Sequence, residues 1–286
     1  MTQTPNQGTP KTIIITGASD GIGAECASQL AAESHHLVLV GRNPAKVAAA
    51  VARLASESPD ATVESFTCDF ADLADVRRLA AELLAAYPRI DVLVNNAGTV
   101  YDKRQLTGDG YEATFAVNHL AGFLLTELLL DRIVASGSAR IVTTSSVGHY
   151  RATMDFDDLG FERGYQIMRA YGRSKLANVL YTRNLATRLG GTGVTANCLH
   201  PGAVATNIWA GAPAIAKPVL SLAKRFLMIT PAQGGATLAY LATSPAVEGR
   251  SGGYYEKNKL KEPAELAKDE EVGRRLVEVS REMTSA

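Results

Sequence analysis

Tyr171 and Lys175 stand four residues apart in the helix-periodic stretch Ala170 to Leu189, so both side chains share one face about a turn apart. That spacing suits proton transfer. Tyrosine titrates at about 10 and is a poor base at neutral pH, but an adjacent ammonium favours the phenolate, which can exchange a proton with a substrate oxygen. The same spacing recurs at Tyr255 and Lys259, in a Lys-rich tail with no Ser or Asn partner upstream, and that copy reads as coincidence. A second cluster is Thr16-Gly17-Ala18-Ser19-Asp20-Gly21-Ile22-Gly23. Its glycines allow a tight turn and close approach of the backbone to a pyrophosphate, and the N-terminus of a following helix attracts the anion. A strand before and a helix after supply the context of a dinucleotide-binding loop; a plain glycine-rich turn is the competing reading.

These residues need a scaffold, and the hydrophobic pattern supplies one. Apolar runs suited to buried strands are Lys11 to Thr16, Leu37 to Gly41, Thr62 to Thr67, Ile90 to Asn95, Arg140 to Ser145 and Val194 to Leu199, with Gly253 to Glu256 as a seventh. Helical stretches lie at Ile22 to Glu33, Pro44 to Ser56, Leu73 to Ala86, Tyr111 to Ala135 and Ala170 to Leu189. The alternation predicts an α/β fold, a doubly wound parallel sheet of about seven strands with helices on both faces. No composition shift marks a linker, so one domain over 1–286 is expected. Two segments fall outside the alternation. The apolar stretch 207–231 reads as a lid over an apolar substrate, with membrane contact or a subunit interface as competing uses, and 264–282 reads as an amphipathic C-terminal helix.

The chain has 286 residues, 46% hydrophobic and 20% charged, which suits a globular protein. Lys plus Arg (29) equals Asp plus Glu (29), leaving no overall field to attract nucleic acid or an anionic bilayer. No nucleic-acid partner is expected. Cys26, Cys68 and Cys198 are widely spaced and form no CxxC pair, which indicates neither a disulfide framework nor a metal site. The first ten residues lack a signal-peptide pattern, and Thr126 and Glu127 interrupt the longest apolar stretch; a cytoplasmic protein with no transmembrane segment is expected.

The phrases TGASDGIG (16–23), NNAG (95–98), YGRSK (171–175) and HPG (200–202) resemble the short-chain dehydrogenase/reductase family over nearly the whole chain. VNHLAGFLLTELLL, AYGRSKLANVLYTRNLA and GTGVTANCLHPG resemble its retinol-dehydrogenase-like branch. The resemblance implies a Rossmann fold, a nicotinamide cofactor, and a catalytic set of Asn118, Ser146, Tyr171 and Lys175. Ser146 would hydrogen-bond the substrate carbonyl, although an ordinary strand-end cap is its other reading. Period-two alternation puts Ser145 and Ser146 on opposite faces, so at most one points at substrate. Asn118, an indifferent helix former inside a helical stretch, would bend the helix and complete a proton relay; a polar group satisfied by a neighbouring carbonyl is equally open.

For the cofactor, the resemblance implies binding by Gly17, Ser19, Gly21, Ile22, Gly23, Asp69, Asn95, Ala97, Gly98, Tyr171, Lys175, Pro201, Gly202 and Thr206. Asp69 could instead cap a helix, though Asp72 is better placed. The second strand ends at Gly41-Arg42 without the acid that would bind a ribose 2′-hydroxyl; Arg42 can form a bidentate pair with a 2′-phosphate, which favours NADP(H). Asp20 would repel that phosphate unless it faces solvent. His119, His149 and His200 form no metal or triad pattern and read as structural. The expected function is hydride transfer between NADP(H) and a carbonyl or alcohol of a small lipophilic molecule, retinoid-, steroid- or ketone-like. A catalytically idle NADP(H)-binding redox sensor controlling a protein partner is the alternative. Relatives imply a possible homodimer or homotetramer.

Overall fold

The computed structural model describes residues 10–202 and 230–285. Among them one sheet holds β1 (Thr12–Thr16), β2 (His36–Gly41), β3 (Thr62–Thr67), β4 (Val92–Asn95), β5 (Arg140–Thr144), β6 (Thr195–His200), β7 (Tyr254–Glu256) and β8 (Lys259–Lys261). The order is β3-β2-β1-β4-β5-β6-β7-β8, and only β7–β8 is antiparallel. The chain winds outward in both directions from β1 and β4. The crevice at their C-terminal ends is therefore the topological switch point where such sheets bind ligands.

Period-two alternation on β1 divides the core. Ile13 and Ile15 pack with Cys26, Leu30 and Leu238 from α1 (Gly21–Ala31) and a later helix, while Ile14 packs with Leu79, Leu124 and Leu176 on the opposite face. The first face is covered by α1, α2 (Pro44–Glu57) and α7 (Pro231–Thr243). The second is covered by α3 (Leu73–Ala86), α5 (Ala121–Ala135), α6 (Ile167–Arg188) and α8 (Glu270–Thr284). All three cysteines are free and buried.

The structure departs from the sequence reading at five places. An eighth strand exists because Lys257 and Asn258 both adopt positive φ (50° and 61°), making a tight two-residue hairpin turn without the usual Asn-Gly pair. The stretch Tyr111 to Ala135 is not one regular helix: α4 (Ala113–Phe115) is capped by the Glu112 carboxylate and passes through a π-helical segment, Ala116–Leu120, into α5. Helix α7 was not anticipated, yet Thr230 and Gln233 form a reciprocal capping box around Pro231 at the first helical position. The segment 264–282 is divided into a short 3-10 turn, Glu265–Lys268, and α8, which Asp269 caps. Apart from Thr230 and Pro231, which open α7, the segment 207–231 lies outside the described residues, as does Thr206. Finally, β5 ends at Thr144, so strand alternation does not carry through to Ser146.

Among the described residues, Ala113–Ala135 is long and apolar enough to cross a membrane, but most of it is buried inside the domain. Its apolar character is accounted for by the core it fills, including Phe115, Phe123, Leu124 and Leu129.

The turn after β5 (Val147–Arg151) packs directly against α6. A Cβ on Gly172 would stand 2.8 Å from the Gly148 carbonyl oxygen, so this approach requires glycine. The segment between this turn and α6, 152–166, does not disturb it, because buried Arg173 gathers that segment. Its guanidinium donates to the Thr153, Asp158 and Leu159 carbonyls and stacks on Phe161 at 3.7 Å from the ring centre. Gly172→Ala should lower stability by about 1–3 kcal/mol and reduce turnover by shifting the turn. Thermal unfolding and steady-state kinetics check this; unchanged values in both would contradict the packing account.

Candidate active site

Ser146, Tyr171 and Lys175 come together where β5, its turn and α6 meet. The Ser146 hydroxyl caps the turn, accepting from the Gly148 N–H at 3.2 Å, and also hydrogen-bonds the Tyr171 phenol. Its two roles, strand-end cap and partner of the tyrosine, coexist. Ser145 serves α6 as well, donating to the Lys175 main-chain carbonyl at 2.8 Å. The expectation of opposite faces is therefore corrected: beyond Thr144 the chain turns, and both hydroxyls meet the same helix.

Lys175 is buried, and its Nζ donates to the Thr144 carbonyl at 3.2 Å. Burial brings its pKa down to about 8. Nζ lies 5.7 Å from the centre of the Tyr171 ring. Burial raises the Tyr171 pKa, and the Ser146 hydrogen bond offsets part of that rise. In the protein without cofactor, desolvation of the phenol dominates; the expected effect of the ammonium joins that of a positive nicotinamide. Any lowering of the Tyr171 pKa needs a further positive charge brought into the crevice.

Asn118 sits in the π-helical segment, which turns its side chain toward β4 and α6. Its Oδ1 accepts from the Thr99 N–H at 2.7 Å, and its Nδ2 donates to the Thr99 carbonyl and to Ser174 Oγ, both at 3.0 Å. The amide is satisfied as one of the two sequence readings expects, and the helix is π-helical at this point. A Cβ on Gly98 would lie 3.1 Å from Asn118 Oδ1 and 3.5 Å from Lys175 Nζ, so Gly98 lines the approach to the lysine. Asn95 turns inward: its Nδ2 donates to Thr126 Oγ1 at 2.8 Å, while its Oδ1 is buried without a partner beside a small internal cavity. Asn96 carries the contact to the glycine loop, donating to the Thr16 carbonyl at 3.0 Å and accepting from Thr144 Oγ1 at 3.2 Å.

The glycine loop fits a pyrophosphate. Gly17 and Gly21 have φ of 66° and 57°, and a Cβ on Gly23 would stand 2.3 Å from the Gly17 carbonyl oxygen, so loop and helix touch through glycine alone. The first turn of α1 directs the Ile22 and Gly23 N–H groups toward that loop. Ser19 lies over Gly41 at the end of β2, beside exposed Arg42. Asp20 is exposed, caps α1 by accepting from the Gly21 N–H at 2.8 Å, and pairs with Lys46 at 3.4 Å. Lys46 therefore balances the carboxylate that had argued against a 2′-phosphate. Sequence reasoning missed it because α2 turns it back toward the loop.

Asp69 does not cap α3, a task taken by Asp72; its carboxylate accepts from the Ala71 N–H at 3.0 Å in a turn just past β3. Ala97 donates its N–H to Thr16 Oγ1, and Pro201 and Gly202 follow β6 at the same edge of the sheet. The three histidines in question are buried. His149 donates from Nδ1 to the Ser146 carbonyl and accepts from the Ala264 N–H, tying the C-terminal segment to the Ser146 turn. Burial holds His200 near a pKa of about 4. The second Tyr/Lys pair is divided between two strands, Tyr255 buried in β7 and Lys259 exposed in β8, far from the geometry of α6.

Sequence reasoning also missed Val147 and Met168, which are 50% and 56% exposed. Val147 follows Ser146, and Met168 precedes Tyr171 by three residues, so exposed apolar side chains stand next to the hydroxyl pair. Single apolar residues carry no signal in a sequence; only the fold sets them there.

Comparison with known proteins places the chain in a family. Retinol dehydrogenase 14 of Mus musculus is 41% identical over 285 residues, covering 96% of this chain and 85% of that protein. A candidate daunorubicin C-13 ketoreductase, DnrU of Streptomyces sp. (strain C5), is 41% identical over 269 residues, covering 90% of this chain and 88% of its own. A candidate NAD(P)-dependent gluconate 5-dehydrogenase from Beutenbergia cavernae, solved with NADP at low occupancy, superposes with a TM-score of 0.71. It is 28% identical, covering 88% of this chain and 96% of that one. The short chain dehydrogenase family matches residues 11–214, and the chain belongs to that family as a retinol-dehydrogenase-like oxidoreductase.

Proposed function

We propose that this protein is an NADP(H)-dependent carbonyl reductase or alcohol dehydrogenase acting on a lipophilic small molecule of retinoid, steroid or ketone type. The observation that carries the reading is the Ser146–Tyr171 hydrogen bond beside the buried Lys175 ammonium, at the switch-point edge of the sheet. Similarity to a retinol dehydrogenase and to a candidate ketoreductase supports the substrate class, as do the apolar Val147 and Met168 beside the hydroxyl pair. Arg42, Ser19 and Lys46 support NADP(H), since two cations and a hydroxyl surround the place where a 2′-phosphate would lie.

A bound nicotinamide would supply or accept the hydride. Gly17, Gly21, Ile22 and Gly23 would hold the pyrophosphate, Asp69, Asn95, Ala97 and Gly98 would border the adenosine half, and Pro201, Gly202 and Thr206 the nicotinamide half. Ser146 orients the substrate oxygen, and Tyr171 gives its phenolic proton to that oxygen during reduction or takes it during oxidation. Lys175 holds positive charge against the developing phenolate and would hold the nicotinamide ribose. The proton lost by Tyr171 would be replaced through Lys175 from a water that Asn118 would hold beside the lysine, in contact with solvent.

Tyr171→Phe should lower kcat by about a thousandfold in an NADPH absorbance assay on a carbonyl panel, while NADPH still binds. Retained turnover would refute the assignment. Arg42→Ala should weaken NADPH by about ten- to a hundredfold and leave NADH nearly unchanged in fluorescence titrations; equal losses would overturn the cofactor preference. Reduction needs Tyr171 protonated and Lys175 charged. Because Lys175 titrates at about 8 and Tyr171 above its usual value, kcat/KM for reduction should fall as pH rises through about 8. A flat profile through that range would contradict it.

A further inference from the structure

A chain of buried polar groups lies behind Lys175 and takes no part in the mechanism above. Asn178, one turn beyond Ser174 on α6, donates from Nδ2 to the Asn118 carbonyl and the Thr144 carbonyl, both at 3.0 Å. The Thr144 oxygen is the one on which Lys175 Nζ rests. Both partners of Nδ2 are carbonyls, which can only accept, so the orientation of the Asn178 amide is fixed and its Oδ1 must accept. That oxygen is 3.2 Å from His119 Nδ1. Burial holds His119 neutral, with a pKa of about 4, so Nδ1 carries its one proton and donates it. Nε2 is then an acceptor for Ser280 Oγ of α8 at 3.0 Å. Each link has a single hydrogen-bond direction from Ser280 to Thr144.

We propose that Asn178, oriented by His119 and Ser280, is the positioning residue for Lys175, holding the Thr144 carbonyl where the ammonium meets it and joining that carbonyl to the Asn118 bend. The proposal rests on the assignment of Lys175 given above. Without the amide, two carbonyls in the interior would lose a donor, and the lysine's anchor would be free to move. Through His119 and Ser280 the C-terminal helix becomes part of the support of the site. The titratable groups around the chain are Tyr171 and Lys175 on α6, His119 itself, and Tyr181, which donates to Glu127; Glu127 in turn pairs with Arg188 and Arg281.

The test is a 13Cε NMR titration of lysine-labelled full-length protein, with Lys175 assigned by its loss in Lys175→Arg. In Asn178→Ala, water enters from the small cavity that Asn178 and His119 line, and the Thr144 oxygen loses its competing donor. Both changes favour the ammonium, so the Lys175 midpoint should rise by about half a unit or more. His119→Asn keeps a donor at the Nδ1 position and should preserve the wild-type midpoint, while His119→Leu should shift it as Asn178→Ala does. In carbonyl reduction by Asn178→Ala, the alkaline limb should move up by the same increment and kcat should fall about tenfold, with KM within about twofold. An unmoved Lys175 midpoint in Asn178→Ala, or equal shifts in the two His119 variants, overturns the proposal. If Asn178→Ala does not fold, the His119 pair decides. Because the titration needs no turnover, a wild-type protein that reduces no carbonyl would sink the functional reading while the NMR comparison still judges this one.

Discussion

The carbonyl of Thr144, the last residue of β5, is where the sheet and helix α6 are locked together. It accepts from Lys175 and from Asn178, and it must be in place before the lysine can sit under the crevice. A buried ammonium with a neutral acceptor is unfavourable: lowering its pKa from 10.5 to about 8 corresponds to about 3 kcal/mol against the charged form. The folded pKa lies below the unfolded one, so this penalty is present in full below pH about 8 and is relieved as pH rises toward about 10.5. Gly172 lets the Ser146 turn close over the same helix, and Arg173 holds the segment 153–159 that precedes it.

The cofactor side follows a different rule, one of backbone approach and not of buried charge. Asn96 and Thr16 join the glycine loop to the end of β4, so the loop and the NNAG segment form one continuous surface. At the far end the charges are exposed: Arg42, and Asp20 balanced by Lys46. Exposed pairs contribute little to stability, so these charges add little to the fold itself.

The alternation of strands and helices was legible because a parallel sheet buried on both faces leaves continuous apolar runs, and seven strands lie within two residues of where those runs put them. Tyr171 and Lys175 were legible because helix periodicity converts four residues into one face. What could not be read depended on contacts distant in sequence. Asn178 and His119 acquire their roles only when α6, the π-helical segment and α8 meet, and Lys46 only when α2 returns to the loop. Asn95 shows the opposite limit: the motif singles it out, yet its side chain turns into the interior. The short antiparallel β8 was hidden because its exposed Lys-Leu-Lys pattern carries no burial signal.

The central claim is that Tyr171, held as a phenol by burial that the Ser146 hydrogen bond only partly offsets, becomes acidic only when a positive nicotinamide joins Lys175. The most direct measurement is the ultraviolet phenolate titration of wild type minus Tyr171→Phe, with and without saturating NADP+. The account predicts a Tyr171 transition above the usual tyrosine value in the protein alone and below it with NADP+ bound. A transition that NADP+ leaves in place, or drives higher, would contradict it.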